Sequence, residues 1–287
     1  VIETFRNAWR VPELRKKLLF TFFIIIIYRV GGTVPVPYLD SVALSAWFEQ
    51  SASSGDFFSY LNVLSGGNFS KATLLALSVS PYINAQIIIQ LLTYALPPLE
   101  RLQKEGPEGR KKLNKITKYA SLAIAIFQAW AYYLTMKKAG ACVYTEGFSK
   151  IFAEIVIIAC FTAGASLTIW LGDEINEKGI GNGISMLLFA GIIARGPSAV
   201  IGLFDYMKTG EAKNIILVIA ILVVFVLMIG FIIFMNEAER RIPIQYAKRV
   251  VGRKQYGGQN TFIPIKIAMS GVMPIIFAMA FMSLPLS

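Results

Sequence analysis

The stretch ATLLALSVSPYINAQIIIQLLTYALPPL, residues 72–99, contains no charged side chain over 28 residues. Crossing about 30 Å of hydrocarbon needs only ~20 apolar residues. The interior of this stretch also holds polar side chains and a proline, namely Ser78, Ser80, Pro81, Asn84, Gln86 and Gln90. Such groups at membrane depth cost free energy unless they face protein or a water-filled cavity. The pattern indicates either a span that lines a cavity or a proline-kinked helix buried in a bundle.

Similar uncharged stretches recur along the chain, which is 55% hydrophobic and contains no histidine. They cover residues 18–28, 72–99, 119–136, 155–172, 179–194, 215–235 and 267–287. Each approaches the length of one helical crossing, although the first and fifth need flanking residues. The alternation over about ten residues that is typical of membrane β-barrels does not occur. The sequence therefore predicts an all-α, polytopic membrane helical bundle with seven spans in this chain.

The basic residues predict the orientation of these spans. The net charge is +11, and the Lys and Arg residues lie mainly between alternate spans rather than in one continuous patch. With the N-terminus inside, the three long cytoplasmic segments carry 5, 7 and 7 basic residues, and the external loops carry 1, 3 and 3. Cytoplasmic loops of membrane proteins carry such an excess. A short charged turn at residues 173–178 is also expected inside, although it is net acidic.

Residues suited to catalysis or metal binding are scarce. Cys142 and Cys160 have no metal-ligand spacing, and free thiols are expected. The run GIGNG, residues 179–183, superficially resembles a phosphate-binding loop, but that motif should follow a β-strand. Here it precedes an apolar helix, so a tight turn at a membrane boundary is the better interpretation. We expect no enzyme activity, no cofactor and no metal.

Several longer motifs carry a resemblance to one family. SPYINAQIIIQLL (80–92), KEG (104–106) with GRKK (109–112), GIGNGIS (179–185), RRIPIQYAKR (240–249) and MSGVMPIIF (269–277) occur in this order. They resemble the second helix, the following loop, the start of the fifth helix, the sixth-to-seventh loop and the seventh helix of the SecY/Sec61 alpha family. That family forms the channel of the Sec protein translocase and has ten helices. The resemblance implies that residues 1–287 are its N-terminal seven-helix portion, with helices one to five in 1–202 and helices six and seven in 203–287.

The resemblance assigns a sealing ring and a plug. The ring is Val79, Ile83, Ile184, Leu188 and Ile276. From the residues alone, ordinary bundle packing of these aliphatic side chains stays an alternative. The plug is Asn62, Val63, Leu64, Ser65, Gly66, Gly67, Asn68, Phe69 and Ser70. It lies within residues 57–70, which are too apolar for an exposed loop and too short to cross. A segment that half-enters the membrane from outside fits this stretch, and a helix lying on the outer leaflet is the alternative. A plug that moves should be held weakly.

The resemblance also assigns a lateral gate and a docking surface. The gate residues are Asn84, Gln90, Gly271 and Pro274. The docking residues for a cytosolic motor or a ribosome are Arg249, Arg253 and Lys254. Basic residues in such a loop also set topology and contact lipid headgroups.

The function that the resemblance implies is a protein-conducting channel of the inner, or cytoplasmic, membrane. It would pass unfolded polypeptides across the bilayer and release hydrophobic segments sideways into it. The implied partners are the small subunits SecE and SecG, the motor ATPase SecA or the ribosome, polypeptides with signal sequences, and lipid, with no nucleic-acid role beyond ribosome docking. A secondary transporter or ion channel is the main alternative, and it would need buried ionisable residues. A structural anchor would leave the polar second span unexplained.

Overall fold

The computed structural model describes residues 9–51, 62–63, 65–144, 147–208, 212–244, 249–251, 254–256 and 261–266. The chain divides into two compact units, Val1–Pro197 and Ser198–Ser287, which are treated separately below. Within the described ranges the helices are α1 (Pro12–Gly31), α2 (Ser41–Ser51), α3 (Ser80–Ala95), α4 (Pro97–Lys104), α5 (Pro107–Lys138), α6 (Gly147–Lys178), α7 (Gly183–Ile193), α8 (Gly196–Lys208) and α9 (Ala212–Glu237). Four short strands follow: β1 (Glu239–Ile244), β2 (Arg249–Val251), β3 (Lys254–Tyr256) and β4 (Thr261–Lys266).

The helix starts follow local sequence rules. A proline lies in the first two positions of α1, α3, α4 and α5, where its missing N–H is not needed and its fixed φ suits the helix. The start of α7 is capped by Asn182, whose side-chain oxygen accepts a hydrogen bond from the Ser185 N–H at 3.2 Å.

Three helical segments among the described residues are long and apolar enough to cross a membrane. They are Gly147–Lys178, which is α6, Gly183–Lys208, which comprises α7 and α8, and Lys213–Glu237 in α9. The predicted spans at 18–28 and 119–136 lie within α1 and α5, which also extend into charged residues. The predicted span at 267–287 lies outside the described residues.

The second uncharged stretch is not one helix, contrary to the prediction. Residues 72–79 form successive turns, and α3 begins only at Ser80. Ala72 and Ser78 have φ values of 46° and 48°, in the left-handed region that interrupts a helix. The helix then ends at Ala95, because Leu96 precedes a proline and is extended.

The residues that form the turns at 72–79 are mostly buried. The buried side chains here are Ala72, Thr73, Leu75, Ala76, Leu77, Ser78 and Val79. Non-helical backbone at membrane depth is tolerated when protein buries it. The polar and irregular character of this stretch therefore reflects burial within the protein.

The charged turn predicted at residues 173–178 is also wrong, because these residues are the last turns of α6. The Lys178 Nζ lies 2.6 Å from the Glu174 Oε2, an i, i+4 pair that supports a helix. The chain turns instead at residues 179–182, where Gly181 has a φ of 74°.

The loops of the first unit sort into two ends, as the predicted topology requires. At one end, Lys118 of α5 pairs with Asp173 of α6 at 2.6 Å, and the Ile180 N–H donates to the Thr21 Oγ1 at 3.1 Å. At the other end, isolated bridges join Leu39 to Cys142 and Pro35 to Thr73. The N-terminal half of α1, the start of the transmembrane part of α5 and the turn after α6 therefore lie at a common end. Which end faces the cytoplasm stays a prediction from the charges.

Two apolar clusters form the core of the first unit. The aromatic cluster includes Phe48, Phe69, Tyr132 and Phe161, surrounded by small and aliphatic side chains. The ring cluster joins α1, residues 72–79, α6 and α7, and its buried members are Ile24, Tyr28, Leu75, Val79, Leu171, Ile175 and Leu187.

The second unit contains most of α8, all of α9 and the two strand pairs. Almost all side chains of α9 are exposed: within its most apolar 18-residue stretch, only 6% of the residues are buried. Strands β1 and β4 pair antiparallel from Glu239 opposite Lys266 to Ile244 opposite Thr261. Pro243 and Pro264 occupy positions two pairs apart, so both can take non-hydrogen-bonded sites of the ladder. The short strands β2 and β3 also pair antiparallel.

Candidate sealing ring and plug

Four of the five predicted ring residues lie in one apolar cluster. Val79 is fully buried, and Ile83, Ile184 and Leu188 are partly buried and pack against the ring cluster. They come from the end of the irregular segment, from the first turn of α3 and from α7. The fifth residue, Ile276, lies outside the described residues. The structure thus brings together side chains that are about a hundred positions apart in the chain.

The backbone around these side chains is closely fixed. The Ile83 N–H donates to the Val79 carbonyl at 3.1 Å, so the two residues are one turn apart. Helices α6 and α7 touch at glycines: a methyl group added at Gly183 would lie 1.9 Å from the Gly172 oxygen. One added at Gly172 would lie 2.7 Å from the Ile184 Cδ1. A larger residue at Gly172 would therefore displace Ile184, and one at Gly183 would push the start of α7 away from α6.

The buried side chains of the ring cluster are aliphatic apart from Tyr28. Among the described residues, no group of three or more Cys, Asp or Glu side chains is placed to hold a metal ion. The two thiols are free, and burial raises the pKa of the Cys142 thiol in the loop after α5, although Lys137 opposes this shift. A narrow apolar constriction excludes water and ions without binding a solute specifically.

The predicted plug closes on itself through hydrogen bonds. The Asn62 side-chain oxygen accepts from the Ser70 N–H at 3.1 Å, and the Asn62 carbonyl accepts from the Gly67 N–H at 2.8 Å. The Ser65 hydroxyl accepts from the Phe69 N–H at 3.0 Å. Residues 65–70 are turns and not a surface helix, and Leu64 lies outside the described residues.

The same segment is packed against helices on several sides. The Phe69 ring stacks on Tyr132 with centroids 4.1 Å apart and meets Phe48 edge-on at 5.5 Å. The Tyr132 hydroxyl donates to the Phe69 carbonyl. Gly66 has a φ of 69°, and a methyl group there would lie 2.5 Å from the Gly191 oxygen of α7. The expectation that this segment is held weakly is therefore wrong for residues 65–70.

Asn68 is the polar exception in this packing. Its side chain is buried, and its amide nitrogen has no hydrogen-bond partner among the described residues. The amide lies against Gly32, where an added methyl group would come within 2.8 Å of it. Such an unpaired donor reduces the stability of the packed state.

The predicted gate residues are only partly described. Asn84 and Gln90 are half-buried on α3, which packs along α5. Gly271 and Pro274 lie outside the described residues. The gate assignment therefore stays a prediction.

The predicted docking residues belong to the loop after α9, where no strands were predicted from the sequence. Arg249 of β2 pairs in register with Tyr256, and Lys254 of β3 pairs with Val251, whereas Arg253 lies outside the described residues. In the ladder between β1 and β4, the Arg241 guanidinium lies 4.7 Å from the centre of the Phe262 ring. The similar segments RRIPI and TFIPIK, rich in isoleucine, were the available indication of strands.

Comparison with known proteins gives a consistent result. The sequence profile of the SecY family matches residues 73–287. The chain is 40% identical over 99% of its length to the protein translocase subunit SecY of Streptomyces coelicolor, covering 66% of that protein. The corresponding values for Thermotoga maritima SecY are 40%, 99% and 65%, so this chain spans about two thirds of these relatives.

Solved structures show the same fold. One described as the structure of a protein conducting channel matches 93% of this chain and 56% of its own, with a TM-score of 0.61 and 21% identity. A structure of Sec61 in the canine ribosome-channel complex matches 93% of this chain and 56% of its own, with a TM-score of 0.59 and 20% identity. The predicted fold class, an all-α membrane helical bundle, is confirmed, with strands added in the loop after α9.

Proposed function

The chain belongs to the SecY family, and on that premise we propose that it forms part of a protein-conducting channel in the cytoplasmic membrane. The channel passes unfolded polypeptides across the membrane and releases hydrophobic segments into the bilayer. The observation that carries the proposal is the convergence of Val79, Ile83, Ile184 and Leu188 in one apolar cluster. Aliphatic side chains at a constriction seal against water yet yield to a passing chain, because they make no specific bonds.

The same observation argues against a solute transporter. Such a protein binds its solute and coupling ion through buried polar or ionisable groups near mid-membrane. Among the described residues, the buried non-aromatic polar side chains are only Ser, Thr and Asn, with no Asp, Glu, Lys or Arg. An apolar seal suits a polypeptide substrate, because a different side chain of that substrate lies in the constriction at each moment of its passage.

The plug assignment is supported by position and by packing. Residues 65–79 run continuously from the aromatic cluster to the ring cluster. A displacement of residues 65–70 would therefore also displace Val79. Because Phe69 and Gly66 fit closely against their neighbours, we propose that this structure is a closed state. Opening of the channel then requires that residues 65–70 lose their contacts with the surrounding helices together.

The orientation and partners follow from charge. We propose a cytoplasmic N-terminus, because the end of the first unit that holds Lys118 also holds most of its basic residues. The strand-containing loop after α9 then faces the cytoplasm and docks SecA or a ribosome through Arg249, Arg253 and Lys254. SecE and SecG are the proposed membrane partners, and polypeptides with signal sequences are the substrates.

The test is transport by the complete protein in lipid vesicles. With SecE, SecG, SecA and ATP, a reporter polypeptide with a signal sequence should become protected from added protease. The same vesicles at rest should be nearly impermeable to small ions. Uptake of ions or small solutes without polypeptide transport would contradict the proposal and favour the transporter.

A further inference from the structure

The residue directly before the ring has an unusual backbone conformation. Ser78 has a φ of 48°, although it carries a side chain and is not followed by glycine. Side-chain-bearing residues enter this left-handed region rarely, and only where the surroundings hold them there. Val79, the next residue, is the N-cap of α3 and is fully buried. The direction of the Val79 side chain therefore depends on the conformation held at Ser78.

One buried hydrogen bond holds this turn to α1. The Tyr28 and Ser78 hydroxyl oxygens are 2.8 Å apart, and these residues are 0% and 1% exposed. The Ser78 N–H donates to the Leu75 carbonyl at 3.0 Å, which closes the turn from the other side. Tyr28, Leu75 and Val79 all belong to the ring cluster. The contact thus links a turn beside the ring to a helix that supplies no ring residue.

A purely structural role is the competing explanation. A buried tyrosine ring contributes to packing through its area, and its hydroxyl commonly finds a partner. That role would make the hydroxyl pair matter for stability alone. The left-handed φ of Ser78 favours a positioning role, because the hydrogen bond holds Ser78 and the backbone at Ser78 sets the direction of Val79.

We propose that Tyr28 is a positioning residue that, through Ser78, fixes Val79 in the closed ring and so sets how readily the channel opens. This inference rests on the proposed function. A polypeptide that passes the ring displaces Val79, and that displacement either breaks the bond between Tyr28 and Ser78 or moves α1 as well. The bond therefore belongs to the closed state and opposes opening. A substrate with a weak signal sequence would fail at this barrier, and one with a strong signal sequence would overcome it.

The test uses the complete protein in vesicles with its partner subunits. The variants are Tyr28→Phe, Ser78→Ala and the double variant, because each removes the bond with little change in volume. The matched control is Thr168→Val, which removes a buried hydroxyl that donates to the Gly164 carbonyl at 2.9 Å within α6. The measurements are resting ion conductance, transport of a reporter with a weakened signal sequence, and thermal stability.

Either single variant should raise resting conductance and weak-signal transport about three- to tenfold, as expected for the loss of one net hydrogen bond from the closed state. The double variant should go no further than either single variant, since both remove the same bond. Thr168→Val should lower thermal stability similarly and leave conductance and signal stringency at the wild-type level.

Two results would overturn the inference in distinguishable ways. If Tyr28→Phe and Ser78→Ala lower stability like the control while wild-type transport and stringency persist, the bond is only structural and the proposed function stands. If the wild-type protein passes no polypeptide at all, the proposed function fails, and this inference fails with it.

Discussion

Residues 72–95 and α9 are both strongly apolar, yet they have opposite environments. The first segment contains Ser78, Pro81 and Asn84, begins with irregular turns and is buried over most of residues 72–79. The second is one uninterrupted helix of 26 residues with nearly every side chain exposed. Hydrophobicity alone predicts a membrane location for both. The polar and helix-breaking residues are what distinguish a segment enclosed by protein from one that faces its surroundings.

The largest expected difference comes from removing one aromatic ring, either next to the enclosed segment, at Phe69, or in α9. Phe69→Ala should lower the free energy of unfolding by about 3–5 kcal/mol, because the ring is buried against Tyr132 and Phe48. Phe231→Ala in α9 should change it by less than about 0.5 kcal/mol, since that ring is 65% exposed. Denaturant titration in mixed micelles measures both. Equal effects would mean that residues 65–70, which lead into the enclosed segment, are not a packed part of the fold.

The next difference concerns a single added methyl group. Gly164→Ala should destabilise the protein by about 1–3 kcal/mol, because the new carbon would lie 1.9 Å from the Leu74 carbonyl oxygen. Gly230→Ala in α9 meets nothing within 4 Å and should gain up to about 1 kcal/mol from helix propensity. The same titration compares them. Tolerance of Gly164→Ala would show that residues 72–79 do not lie against α6.

Substitution of a proposed ring residue should change stability less than the two preceding changes and should mainly affect how well the channel seals against ions. Ile83→Asn should wet the constriction, raise resting conductance and admit weakly hydrophobic signal sequences, because the amide hydrogen-bonds water. Leu222→Asn, on the exposed surface of α9, should impair insertion or stability modestly and leave selectivity unchanged. If Ile83→Asn instead costs about 1–3 kcal/mol as an unpaired buried amide and stringency stays normal, Ile83 is a core residue.

The smallest effect on stability is expected in the loop after α9. Reversing Arg249, Arg253 and Lys254 to Glu should change unfolding by less than about 0.5 kcal/mol. Binding of the proposed partners, SecA or a ribosome, should become weak even at low salt. It should also lose most of its salt dependence, because salt weakens binding by screening the attraction between exposed charges, which acts within about 8 Å at physiological ionic strength. Reversal of the exposed Lys137 and Lys138 is the control and should leave binding intact. Undiminished binding by the triple variant would leave this loop with a topological role only.

Local sequence rules predicted much of the fold. The uncharged runs placed α1, α5, α6 and α9, and the motif GIGNG placed the turn before α7, because these features act over a few neighbouring residues. The break at residues 72–79 was not predictable, since Ala72 and Ser78 have left-handed φ values that these residue types rarely adopt. The helical end of α6 was missed because a charged run was taken for a turn, whereas Glu174 and Lys178 form a helical pair.

The sequence predicted that four of the candidate ring residues lie together, but it did not predict how the neighbouring segment packs. The family motifs selected Val79, Ile83, Ile184 and Leu188, and the structure places them in one cluster. The tight packing of Phe69 depends on Tyr132, which lies 63 positions away, and no local pattern predicts such a partner. The proposed ring therefore came from motif order, whereas the packing of residues 65–70 needed the three-dimensional structure.

The ladder between β1 and β4 has a mechanical consequence. Glu239, two residues after the end of α9, is the register partner of Lys266, so six cross-strand pairs join the beginning of the loop to its end. Residues 249–256 lie between these strands in the chain, so a load applied there divides over two tethers. Neither strand can slide along the other without breaking ladder hydrogen bonds, so the ladder couples the two tethers close to the end of α9. Inserting a flexible linker between Ile244 and Arg249 would add slack on one side and should weaken any push that a bound motor delivers.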